Sequence, residues 1–403
     1  AGARAAKQFR AFSQRAKHLF NAFEAPMMRA ARPDPMHLTL EVLRQPRLIR
    51  AMAPLSTLAR RLAREFDDPR LRQLFGRYAT YVGGAPRLSP GVLQLIWHAE
   101  ASGVWHVEGG IHKLAAALAN LAERLGVAFH MGAPVTRILT TGGRASGVEV
   151  NGRAYPCDAV VFNGDPRALS QGYLGPFEHV IPKSGTSPRS LSARVWSFAA
   201  KPDGPELLHH NVFFGRSPDD EFGPIQRGEE PIDPTLYVCA QDRGADQKPQ
   251  GLERFEIIEN AAPTDEEHLE EKNTCQKRVF NRLKEFGLTF SPEPATSALT
   301  VPAEFNQMFP GSLGSLYGRS PHGLMATFQR PGARTKIPGL YLAGGGAHPG
   351  AGIAMATLSG RHAAEAIAMD LALPLTSHQT ATHGGTSTVS PTMALKRSRS
   401  SLS

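Results

Sequence analysis

The chain has 403 residues, of which 41% are hydrophobic and 20% charged, enough for a large core with an ordinary globular balance, which excludes fibrous and wholly disordered classes. No uninterrupted apolar run reaches about 18 residues, so no transmembrane helix is expected, and the opening residues do not read as a signal peptide. The net charge of +9 is uneven, because residues 1 to 77 hold 16 Lys and Arg against 6 Asp and Glu while the rest holds 29 against 30.

In that basic end AGARAAKQFRAFSQRAKHLFNAFEAP has a helical period, and further on Leu55, Leu58, Leu62 and Phe66 recur three or four apart beside Arg60, Arg61 and Arg64. Such a helix can lie on an anionic membrane surface with its arginines at the headgroups, or pack its apolar side on the rest of the protein. Nucleic acid is not an expected partner, since the aromatic interleaving and motif it would need are missing. Pro33, Pro35 and Pro46 break the N-terminal helices, and Gly83, Gly84, Pro86 and Pro90 end that region in a loop. Residues 111 to 125 read as a helix with Leu114, Leu118, Leu121 and Leu125 in one apolar stripe, stopped by Gly126. Strand-type runs follow at 127 to 131, 134 to 141, 145 to 152 and 158 to 164, then in SARVWSFAA, HHNVFFG, TLYVCAQ and RFEIIENA between 190 and 261. Residues 263 to 287 are acidic and helical in pattern, and from about 374 a serine- and threonine-rich tail is expected to be disordered.

Residues 337 to 370 carry the densest signal. A strand through Leu340, Tyr341 and Leu342 enters a turn containing Gly344, Gly345, Gly346, Gly350 and Gly352, and an alanine-rich helix follows. Glycines let a backbone approach a ligand, and a helix N-terminus offers free N–H groups to a phosphate or to the pyrimidine carbonyl of a flavin. The same glycines would also serve a tight connection by packing alone. Counting from Gly344 the sixth position is Pro349, so this is not a GxGxxG loop, and none occurs elsewhere in the chain. Gly109 and Gly110, after Trp105 and His106, either pass close to a planar ring or simply start a helix. His348 lies within the glycine loop, where it approaches a ligand or bonds to backbone. Neighbouring His209 and His210 are expected to put their rings on opposite faces of a strand, and Cys157, Cys239 and Cys275 are odd in number and far apart. Neither a metal site nor a disulfide framework is expected.

Together with FGRYATYVGGAP (75 to 86), GVWHVEGGIHKLAAALANLAERLGV (103 to 127) and the LYG and HGLMATFQRPGARTKIPG run (316 to 339), the 337 to 370 stretch resembles the phytoene-desaturase family of FAD-dependent carotenoid desaturases, in the amine-oxidase superfamily. Within it the likeness is to the branch acting on hydroxylated or methoxylated acyclic carotenes, and it runs from about residue 35 to 372. It implies an α/β (α+β) fold in which an incomplete Rossmann-type FAD-binding domain interleaves with a substrate domain of mixed sheet and helices. The implied division is a helical substrate- and membrane-facing region at 1–100, FAD-domain parts at 101–170 and 326–373, a substrate domain at 171–325 and a tail at 374–403. FAD is the implied cofactor, with Val135 at its adenine edge and Gly344, Gly345, Gly346, Gly352, Ile353, Ala354 and Met355 at its ring. The implied partners are a lipophilic carotenoid and a membrane surface, from a cytoplasmic, peripheral position on the inner or photosynthetic membrane.

The implied reaction removes two hydrogens from a C–C bond of a polyene, chemistry carried by the cofactor, so few side chains are needed. Glu108 and His98 are candidate proton acceptors by position beside the family motifs. Family members open with a strand, GxGxxG and a helix, whereas this chain starts at Ala1 in a helix-period segment, so a missing nucleotide-binding half and weak FAD binding are expected. Two related readings share the scaffold: a carotene isomerase, and a non-catalytic lipid- or prenyl-binding protein of the GDP-dissociation-inhibitor type.

Overall fold

The structure, a computed structural model, describes residues 2–373 apart from 45, 245–248, 267–270 and 324. The expected tail at 374–403 lies outside the described residues. Six helices make an N-terminal layer: α1 (Gly2–Phe23), α2 (Pro35–Arg44), α3 (Pro46–Met52), α4 (Leu58–Glu65), α5 (Pro69–Gly76) and α6 (Ile96–Ala101). Local chemistry sets their starts. Thr57 caps α4 by accepting from the Arg60 N–H, and Asp68 caps α5 by accepting from Arg70, with Pro69 at the first position. Leu58, Leu62 and Phe66 are buried with Phe12, Phe75 and Tyr78, so the apolar side of α4 is core. Leu55, expected in the same stripe, is 93% exposed because the chain turns before α4 begins.

Helix α7 (His112–Arg124) forms where expected, but its leucines do not face a core. Leu114, Leu118, Leu121 and Leu125 are all exposed, the last at 76%. The expected strand at 127 to 131 is also corrected: it belongs to no described ladder, and Val127, Phe129 and Met131 are exposed. A strand is held by pairing with a neighbour, and this stretch pairs with no described strand; the Val127 N–H instead donates to the Ala122 carbonyl at the end of α7.

Next comes an antiparallel meander of β1 (Val135–Thr141), β2 (Arg144–Val150) and β3 (Arg153–Pro156), joined by the two-residue turns Gly142-Gly143 and Asn151-Gly152. Strand β4 (Val160–Phe162) leads into α8 (Pro166–Ser170) and α9 (Lys183–Thr186). The following sheet contains β5 (Ser192–Asp203), β6 (His210–Phe213), β7 (Leu236–Ala240), β8 (Glu253–Ala261), β9 (Thr289–Ser291) and β10 (Leu299–Thr300), in the order β10-β5-β8-β7-β6 with β9 beside β5. Between these strands lie α10 (Pro218–Gln226) and α11 (Glu271–Glu285). The chain closes with α12 (Pro302–Met308), α13 (Ala326–Gln329), β11 (Leu340–Leu342) and α14 (Ile353–Asp370).

Two pairings position the site. Strand β11 runs parallel to β4, Tyr341 opposite Val161, joining residues 180 apart in sequence, and Leu340, Leu342, Val160 and Ile138 share one buried cluster. In the six-stranded sheet, Trp196, Leu236, Val238, Phe255 and Ile257 bury one face with Cys275, Val279 and Leu283 of α11. Alternation then sends Tyr237 and Cys239, with their cross-strand partners Val212 and His210 on β6 and Ile258 and Glu256 on β8, to the opposite face.

Candidate functional site

The glycine loop between β11 and α14 divides its glycines into two kinds. A Cβ on Gly344 would stand 2.5 Å from Asn163 Oδ1, and one on Gly346 would stand 2.5 Å from Pro166 Cδ, so these two are required by packing against the end of β4. Gly345 would meet only Ala351, at an ordinary 3.7 Å. Gly352 differs: its φ is +98°, its Cβ direction meets nothing within 4 Å, and it directly precedes α14. Ile353 is 61% exposed, Ala354 is exposed and Met355 partly so. An 18-residue helix thus presents its first, intrahelically unpaired N–H groups over a glycine with open space above it.

Arg330 holds this loop from beneath. It donates to the carbonyls of Gly345, Tyr317 and Arg319, each at 2.8 Å. Burial lowers its pKa to about 10, so it is still protonated at neutral pH. Tyr317 packs where a Cβ on Gly83 would lie, 2.6 Å from both Tyr317 Cδ2 and Ser190 Cβ, and its N–H donates to Ser190 Oγ. Gly83, with φ +75°, and its motif are therefore a packing joint between the helical layer and the loop support. At the end of β4, Asp165 caps α8 through the Arg167 N–H and pairs with buried Arg189, which also donates to Thr186 and Ser312 carbonyls. His348 resolves in favour of the backbone: it is buried, with Nε2 2.9 Å from the Ala30 carbonyl oxygen, and it stacks on His362, whose Nε2 lies 3.1 Å from that of Arg29. Burial pulls the His348 pKa down to about 4, so the ring is neutral.

The other sequence candidates are scattered. Val135 is the first residue of β1, paired with Val150 and exposed, three residues before Ile138 in the cluster that carries β11. Glu108 is exposed in the turn before α7. His98 packs edge-on against Phe20 of α1, at 5.3 Å between ring centroids, and desolvation lowers its pKa. Neither has a described contact with the glycine loop.

A second constellation escaped the sequence reading. Glu100, on α6 two residues beyond His98, interacts electrostatically with Tyr78, Tyr81 and His210, while its Oε2 is buried without a hydrogen-bond partner. On the open face of the six-stranded sheet, His210 Nδ1 lies 2.7 Å from the Tyr237 hydroxyl. Burial raises the pKa values of Tyr78, Tyr237 and Glu256 and lowers that of His210, so these groups are driven toward their uncharged forms. The helical layer and this face therefore meet across a half-buried, largely neutral wall. The expectation that His209 and His210 point apart is corrected, because His209 lies in the bend before β6, where strand alternation does not apply. One ligand atom each from His209, His210 and Cys239 lies within 4.8 Å of the others. All three cysteines are free, Cys157 exposed and the other two buried.

Comparison with known proteins adds a family and its relatives. Residues 9–368 match the model of flavin containing amine oxidoreductases. The chain is 57% identical over 374 residues to a hydroxyneurosporene desaturase of Cereibacter sphaeroides, covering 92% of this chain and 76% of that protein. It is 50% identical over 372 residues to one of Rhodobacter capsulatus, covering 92% and 75%. A hydroxyneurosporene desaturase of Rubrivivax gelatinosus is 40% identical over 406 residues, covering 97% and 76%.

Proposed function

This chain belongs to the flavin containing amine oxidoreductase family, and we propose that it is an FAD-dependent desaturase acting on a hydroxylated or methoxylated acyclic carotenoid in carotenoid biosynthesis. The observation that carries this reading is the identity of 57% and 50% to two hydroxyneurosporene desaturases over nearly the whole chain. When bound, FAD supplies the two-electron acceptor for removing hydrogen from a carbon–carbon bond. The donor set fits such a group. Gly352, Ile353, Ala354 and Met355 offer helix N-terminal N–H groups over open space, suited to the electron-rich edge of a flavin ring. Gly344 and Gly346 shape the loop by close packing, Gly345 is fixed through its carbonyl by Arg330, and Val135 remains the candidate for the adenine edge. The β4–β11 pairing supports reading 101–170 and 326–373 as parts of one cofactor domain, with 171–325 as the substrate domain.

The open sheet face supports the substrate class. Val212, Tyr237 and Ile258 give a half-buried wall whose titratable groups are held toward neutrality, which suits a long apolar polyene. Membrane contact is the finer part of the proposal. No described helix is long and apolar enough to cross a membrane. Met36, Leu40 and Leu43 of α2, Ile49 of α3 and Leu55 are exposed close in sequence to Arg44 and Arg50, a basic and apolar surface suited to anionic headgroups. The deciding experiment is expression in a host accumulating hydroxyneurosporene. The expected product has one more conjugated double bond and red-shifted absorption. Altered double-bond geometry at unchanged conjugation would indicate an isomerase, and flavin-loaded protein that leaves the pigment unchanged would refute both.

A further inference from the structure

At the β6 start of the open sheet face, beside the Val212, Tyr237 and Ile258 wall, three side chains come together to which the desaturase reading gives no chemical role. His209 enters β6 from a bend, His210 is the first residue of β6, and Cys239 is the cross-strand partner of His210 on β7. Their ligand-type atoms lie within 4.8 Å of one another, the one such group among the described residues. His209 Nε2 stands 3.7 Å from Cys239 Sγ. On a tetrahedral zinc ion a thiolate at about 2.3 Å and an imidazole nitrogen at about 2.0 Å are separated by about 3.5 Å, so the observed gap, also that of a thiol–imidazole hydrogen bond, is close to the spacing of two ligands on one ion.

The surroundings favour ligation over a chance encounter of polar groups. Nδ1 of His210 lies 2.7 Å from the Tyr237 hydroxyl, which orients the ring beside the other two side chains. Nδ1 of His209 is buried without a hydrogen-bond partner, and its Nε2 faces the Cys239 thiol at 3.7 Å. The His106 ring stands edge-on to His209 with centroids 4.9 Å apart and closes one side.

We propose that His209, His210 and Cys239 bind a borderline-soft divalent transition cation, Zn2+ in the first instance, through two imidazoles and one thiolate. A donor set of two nitrogens and one sulfur with no carboxylate selects zinc, cobalt or nickel over calcium and magnesium. Binding deprotonates the thiol: the Cys239 Sγ–H proton leaves to solvent as the sulfur–metal bond forms, with no change in oxidation state. Three protein ligands leave a fourth tetrahedral position, the arrangement of a site that takes water or another small donor.

Titration of the metal-free full chain with Co2+ tests this independently of desaturase activity. The expected result is one equivalent of tetrahedral Co2+ with a thiolate-to-cobalt charge-transfer band, reversed by Zn2+. Cys239→Ser abolishes the band, Cys157→Ser leaves it unchanged, and His210→Gln weakens binding at least about tenfold, no less than loss of an outer-shell partner costs. Absence of the band in the unsubstituted protein, or its survival in Cys239→Ser, overturns the assignment. Circular dichroism checks that each variant is folded. If Cys239→Ser does not fold, His209→Gln and His210→Gln decide, and undiminished one-to-one binding in both overturns it equally.

Discussion

Gly352 separates a ligand contact from simple backbone strain, because a matched control exists elsewhere in the chain. Its φ of +98° and ψ of 149° belong to a region nearly reserved for glycine, and its Cβ direction is open. Gly251 combines a φ of +110° with equally open space, in the connection between β7 and β8. Alanine at either position therefore carries backbone strain alone, about 1–3 kcal/mol, with no clash inside the protein. If a flavin ring lies over Gly352, its alanine methyl additionally overlaps the ring, and overpacking of that kind costs about 1–3 kcal/mol, roughly 5- to 150-fold in affinity. The assay measures unfolding free energy in urea without cofactor, then FAD dissociation constants by fluorescence titration, for Gly352→Ala, Gly251→Ala and the unsubstituted protein. Both variants should lose comparable stability, and only Gly352→Ala should lose FAD affinity. Equal affinity in the two variants would refute the assignment of the α14 N-terminus to the ring.

Gly83→Ala should destabilise by about 2–5 kcal/mol, combining left-handed backbone strain with overlap onto Ser190 and Tyr317, and a thermal melt within about 1 °C of the parent would remove its role as a joint. Leu62→Ala, at a site 1% exposed, should cost about 2–5 kcal/mol, whereas Leu118→Ala on the exposed side of α7 should fall within about 0.5 kcal/mol; urea unfolding compares them, and a reversed order would contradict the described burial. His348 is held at about 4 in the folded state against 6.5 ordinarily, so the unfolded chain takes up more protons between those values. Its share of stability, on the order of 3 kcal/mol, is complete above about pH 6.5 and lost as the pH falls toward 4; His348→Gln should flatten the pH dependence of unfolding in that window, and an unchanged slope would exclude it. If Glu100, whose Oε2 is buried without a hydrogen-bond partner, takes up the proton in place of Glu108 or His98, Glu100→Gln should slow pigment conversion more than Glu108→Gln or His98→Gln, as judged by absorption of the extracted product, and the opposite ranking would favour the sequence candidates.

Strands were legible wherever alternation and turn residues coincided, as in β1, β2, β5, β7 and β8. The strand, glycine turn and helix at 340–370 were legible from glycine density and from the alanine-rich run that follows. What the sequence did not distinguish was the use of each glycine. Gly346 and Gly352 differ in backbone conformation, positive φ at Gly352 alone, and in what lies opposite them, Pro166 in one case and open space in the other, and the contact with Pro166 depends on a strand pairing across 180 residues. His209 and His210 were misread because alternation was applied to a residue lying in a bend. Glu100 carried no signal, since Tyr78 and His210 reach it from separate elements. Helix α7 was correctly read as a helix, but periodicity reports that a face is apolar and says nothing of what covers it.

The three carbonyls gathered by Arg330, and the hydrogen bond from His348 to Ala30, have a consequence for how a ligand is received. Fixing the backbone of one residue costs about 1–2 kcal/mol in conformational entropy, so immobilising the nine residues from 344 to 352 at the moment of binding would cost on the order of 10 kcal/mol. Here that ordering is accomplished during folding, by a cation already seated under the loop and an imidazole anchored to the N-terminal layer. If this loop receives the flavin proposed above, the cofactor meets a preorganised surface, and its contacts are realised as affinity instead of being consumed in shaping the loop.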